Sequence, residues 1–109
     1  MNNNFKRATR SQVYEVIDKE RDYQDSLRDE GIFEVHELTS GQEILMIEEY
    51  AARARKAWTD NTGVNPLEAL AVVRKIAAMC VRCMENNGIV NRGEEPNKYP
   101  TVIQTAPRL

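Results

Sequence analysis

The sequence predicts an all-α fold, a small antiparallel bundle of three main helices, and three observations predict it. Apolar residues recur at helical spacing in three separate stretches. Two of those stretches open on a capping signature, and the connections between them are short. The longest stretch, residues 65–88 (NPLEALAVVRKIAAMCVRCMENNG), carries an apolar arc of roughly 200°, wide enough to meet more than one neighbour. Residues 1–88 therefore form the helical bundle domain. Residues 89–109, which contain Pro96, Pro100 and Pro107, form an extended C-terminal arm.

The first helix follows a polar lead, with Asn4 or Ser11 as its cap, and ends near Asp29. Val13, Val16, Ile17 and Leu27 mark its apolar stripe, with Tyr23 at the edge. Glu20 and Gln24 fall inside that stripe. Burial there costs several kcal/mol for an unpaired carboxylate and about 1 to 3 kcal/mol for an unpaired amide. Either a hydrogen-bond network to neighbouring helices satisfies them, or a polar ligand sits between the helices.

Residues 30–39 read as a loop that folds its apolar members Ile32, Phe33, Val35 and Leu38 over a core edge. His36, a lone histidine, reads as a loop residue without chemistry. The second helix spans residues 42–58, capped by Ser40 with Glu43 reaching back three positions later. Its predicted buried face is Ile44, Ile47, Tyr50, Ala51, Ala54 and Trp58. Glu49 and Arg53 pair on the wet side, and Glu43 and Glu48 flank the stripe as solvated rim residues.

After the turn TDNTGV comes the central helix. Asn65 is the expected cap, Pro66 the first helical residue, and Gly88 the left-handed stop. Its apolar arc gathers Leu70, Val73, Ile76, Ala77, Cys80, Val81, Cys83 and Met84, widened by Val72 and Met79, with Glu68, Lys75, Arg82 and Glu85 towards water. Cys80 and Cys83 lie inside the helix, where a redox or metal CxxC would open one, so they read as core thiols of a reducing compartment.

The 109 residues carry a formal net charge of −2 with 29% charged residues, which gives no field to draw a nucleic acid duplex. No apolar run approaches the roughly 20 residues of a membrane span, and the Asn-rich start has no apolar signal core, so the expected location is cytoplasmic. So modest a helical core favours a homo-oligomer, with the arm laid over a neighbouring protomer and TVIQT adding an edge strand or plugging a groove.

Taken together, ERDYQ at residues 20–24, SGQEILMIEEYAARARKAW and EALAVVRKIAAMCVRCMENNG resemble small phage-encoded all-α proteins similar to the MazG-like nucleotide pyrophosphohydrolases. The resemblance implies hydrolysis of nucleoside triphosphates on magnesium held by carboxylates of two helices, here a reduced set of Glu20, Glu43, Glu48 and Glu49. Ala52 and Arg53, then Arg74 and Lys75, stand where that family's pattern wants further carboxylates. A degenerate set implies binding without turnover: no catalytic residue, no metal and no cofactor.

The arginines at the borders of the apolar stripes, Arg10, Arg21, Arg55 and Arg74, suit an anion. Tyr14, Tyr23, Tyr50 and Trp58 suit a stacked base, and Glu20 and Gln24 its polar edge. Each arginine reads equally as a rim residue with its stem on the core, and each aromatic as ordinary core. Their coincidence with the polar break in the first helix leads to the expectation of a protein that sequesters a small nucleotide-derived ligand, of viral counter-defence type. The rivals are the magnesium-dependent pyrophosphohydrolase and a protein–protein interaction module.

Overall fold

The computed structural model describes residues 7–29, 38–61 and 66–95. Three helices form: α1 (Arg10–Asp29), α2 (Ser40–Asp60) and α3 (Leu67–Asn87), with no strand among the described residues. The all-α prediction holds. His36 and the loop apolar residues Ile32, Phe33 and Val35 lie outside the described residues, as do Asn4, Asn65 and the arm from residue 96 onward.

The helix starts differ from expectation in an instructive way. Ser11 lies inside α1 and does not cap it. Thr9 does, its hydroxyl accepting from the Gln12 amide while Gln12 Oε1 accepts from the Thr9 amide. The same reciprocal pair opens α2, where Thr39 and Gln42 replace the expected Ser40 and Glu43. Two T-x-x-Q words, TRSQ and TSGQ, thus do the same job, and the second leaves Glu43 uncommitted. In α3, Pro66 stands at the cap, one place before the first helical residue, and Gly88 stops the helix at φ +96° and ψ 165°, a positive φ that glycine adopts without strain.

At the far end of α2, Asn61 donates its side-chain amide both to Ala57 O and to Glu68 Oε1 at 2.8 Å, tying the end of α2 to the first turn of α3. Beyond α3, Asn91 and Glu94 close a turn at Gly93.

Helix α3 lies between the other two, which do not touch each other among the described residues. Glu43 near the start of α2 meets Asn86 and Asn87 at the end of α3, and Asn61 meets Glu68, so α2 and α3 are antiparallel. Helix α1 runs in the same direction as α3, as an up-down-up order requires: residues 12–17 face Leu70 to Ala77, and Arg21 reaches Glu85. The arrangement is nearer to a layer than to a closed triangle, and its dry core is small. Among the described residues Ala78 and Met79 are the buried apolar ones, at 0% and 7% exposure.

Several predicted core positions are therefore open. Leu70, Val73 and Met84 of α3 are about half exposed, as are Ile44 and Trp58 of α2, and Ala51 is exposed. The stripe of α2 that faces α3 is centred on Glu43, Ile47, Tyr50, Ala54 and Ala57: it keeps Ile47, Tyr50 and Ala54 of the expected face and turns Ile44, Ala51 and Trp58 outward, a rotation of about 45°. No described helix is long and apolar enough to cross a membrane.

Candidate functional site

Two polar seams hold the helices in register. In the α1–α3 seam, Glu20 is buried in the α1 stripe at 8% exposure and accepts from Arg74 Nε at 2.9 Å. One residue on, Arg21 is equally buried. It forks across Asp25, four residues away on its own helix, and Glu85 of α3, with Nη2 at 2.6 Å from Glu85 Oε1. Burial alone lowers the Arg21 pKa, but the hydrogen bonds and charges of Glu85 and Asp25 outweigh it and hold the value above its ordinary one.

In the α2–α3 seam, Glu43 is the most buried charged residue described, at 3% exposure. Its two oxygens accept from Asn86 Nδ2 at 2.8 Å and Asn87 Nδ2 at 2.6 Å, with Arg82 Nε 3.7 Å away. Burial pushes this carboxyl up; Asn86, Asn87, Arg82 and Cys83 together pull it below the ordinary glutamate value. Sequence reasoning placed Glu43 and Arg82 towards water and gave Asn86 and Asn87 no role. The available signal was the T-x-x-Q word, which relieves Glu43 of capping and leaves it in line with Ile47, Tyr50 and Ala54.

The predicted ligand residues are only partly gathered. Glu20, Arg21, Gln24 and Arg74 share the α1–α3 seam, with Gln24 half-buried and its Oε1 without a hydrogen-bond partner among the described residues. Tyr14 and Tyr23 are 61% and 56% exposed and, nine residues apart, project from opposite sides of α1, about 180° from each other. Arg10 is exposed at the start of α1. Arg55 and Trp58 belong to α2, away from α1.

The four carboxylates of the alternative metal set do not converge. Glu20 is anchored at Arg74 and Glu43 at Asn86, positions about 18 Å apart along α3. Glu48 is exposed, and Glu49 pairs with Arg53 at 3.5 Å, whose guanidinium also lies over the Tyr50 ring. No cluster of three His, Cys, Asp or Glu suited to a metal occurs among the described residues. Cys80 and Cys83 are free thiols, and burial, then the neighbouring Cys83, raises Cys80 above the usual thiol range.

Beside the α1–α3 seam opens a groove of about 260 Å³, walled by Val13, Val16 and Ile17 of α1 and by Leu70, Val73 and Ala77 of α3, with Arg74 its one charged lining residue. Fold and seams define a small all-α protein whose buried charges are spent on joining helices and whose open cavity is apolar. No protein-family model, characterised protein or solved structure matches the chain.

Proposed function

We propose that this chain is a non-enzymatic interaction protein, acting through the surfaces its helices present rather than through turnover. One observation carries the reading. The buried charges close on partners across the seams at 2.6 to 2.9 Å, while Val13, Val16, Leu70 and Val73 stand about half exposed around an apolar groove. A phosphate that drew Arg74 off Glu20 would strand a carboxylate that is 8% exposed, and breaking such a pair costs more than forming it gains. A protein surface asks nothing of those pairs and gains from covering the apolar residues.

A second reading, capture of a small nucleotide-derived ligand, is favoured by the buried and unpartnered Gln24 Oε1, one helical turn from Glu20. A donor on the ligand would satisfy it, with Arg21 and Tyr23 nearby on α1. In a phage setting, sequestering a host defence signal would be the use of such capture. The magnesium-dependent pyrophosphohydrolase draws no support from carboxylates so widely separated.

The deciding experiment is a thermal-shift panel of nucleoside triphosphates and cyclic dinucleotides, each with magnesium and with chelator. The interaction reading expects every arm to stay within about 1 °C of the free protein. Stabilisation indifferent to chelator, with the ligand recovered intact after denaturation, would replace it with capture. Magnesium-dependent stabilisation with release of a smaller product would replace it with hydrolysis.

A further inference from the structure

We propose that the apolar groove between α1 and α3 is covered by a second copy of this chain, seated across it about a two-fold axis. The inference deepens the interaction reading and rests on it for the choice of a protein occupant. Three observations select the chain's own copy.

The first is need. With Ala78 and Met79 as the buried apolar residues described, the three described helices are nearly a single layer, and stable domains bury an apolar face between at least two. A second copy supplies a second layer. The second is charge. A face that meets its own image must not repel itself, and the only charged residue lining this groove, Arg74, is already closed on Glu20. Nothing on the face calls for a partner of opposite charge.

The third is area. Two helices of 20 and 21 residues are about 30 Å long and together about 20 Å across, a face of roughly 600 Å². The groove lining occupies the half of that face at residues 8–17 and 70–77, and a copy seated over the whole face would reach the lower end of what specific, stable interfaces bury. Met84, seven residues beyond Ala77 on the same side of α3 and 47% exposed, carries the apolar stripe to the far end of the helix.

The test is sedimentation velocity of the full chain from about 2 to 200 µM, with thermal melts over the same range. The proposal expects a species of twice the 12.5 kDa chain mass. Val73→Glu, which places a charge on the groove wall, should weaken association at least ~100-fold. Lys75→Glu, on the opposite flank of α3, should leave association unchanged. A wild-type monomer throughout overturns the proposal, as does a folded Val73→Glu variant that still pairs like the wild type.

Should Val73→Glu fail to fold, the wild-type melt decides. A midpoint that rises with concentration supports the pairing, and a flat one overturns it. A nucleotide that stabilises the protein would instead sink the interaction reading while leaving the sedimentation result untouched, so the two failures are distinguishable.

Discussion

Replacing Glu43 tests the α2–α3 seam most directly. Its carboxylate is 3% exposed, accepts two amide hydrogen bonds of 2.6 and 2.8 Å, and faces Arg82 at 3.7 Å. Hydrogen bonds to a charged group contribute about 1.5–3 kcal/mol each. Asn86 and Asn87 are exposed, so water recovers part of that once the carboxylate is gone, and Glu43→Ala should cost about 2–4 kcal/mol. For a domain of ordinary stability this lowers a urea midpoint by roughly 1–2 M. Glu43→Gln keeps the shape but can accept at one oxygen only, and should cost about half as much. Equilibrium urea unfolding at one fixed protein concentration reads both, because self-association would otherwise shift the midpoint. A cycle with Asn87→Ala should return a coupling of about 1 kcal/mol. If Glu43→Ala and Glu43→Gln both unfold within 0.5 kcal/mol (about the scatter of a neutral surface change) of the wild type, the seam does not hold α2 in place.

Arg74→Ala leaves Glu20 buried without its cation; because Arg74 is itself 43% exposed, the expected cost is a discounted ~1–3 kcal/mol, read by the same urea titration, and Glu20→Gln in that background should recover part of it. Thr9→Ala and Thr39→Ala should each cost about 1 kcal/mol, additively since they cap different helices, and a loss confined to one of them would show that the two T-x-x-Q boxes are not equivalent. Glu43 has its pKa lowered in the folded state, so its contribution is complete above the unfolded value of about 4.3 and is lost as pH falls through the lower, folded value. An acid titration followed by circular dichroism should therefore show an unfolding step below about pH 4 that Glu43→Gln flattens.

What could be read from the sequence divides along physical lines. The existence of three helices, the stop at Gly88 and the Glu49–Arg53 pair were legible because each depends on residues within one or two turns of one another. The inward position of Glu20 was also legible, as a polar residue inside an apolar stripe, and the network offered for it is met by Arg74. What the sequence withheld was the rotation of each helix about its axis. In α2 the expected face already held Ile47, Tyr50 and Ala54; the choice lay in which flank joins them, Ile44, Ala51 and Trp58 on one side or Glu43 and Ala57 on the other. Hydrophobicity alone selects the first. The second is realised because Glu43 finds Asn86 and Asn87, more than forty residues away, and no local pattern announces that pairing.

The two kinds of contact in this protein do different work. Buried ion pairs and carboxylate–amide contacts return little net stability after desolvation, yet they are directional, so Glu20–Arg74, Arg21–Glu85 and Glu43–Asn87 fix the register of α1 and α2 on α3. Net stabilisation must come chiefly from apolar surface removed from water, and on each helix several large apolar residues are about half exposed among the described residues. Half-burying residues such as Val13, Val16, Leu70 and Val73 leaves about 1 kcal/mol apiece unrealised, enough in sum to rival the stability of a small domain. With the proposed second copy over the open face, the chain gains the stabilisation those residues leave unrealised. Its folding and its interactions are then one equilibrium, and a substitution on the groove wall should move both together.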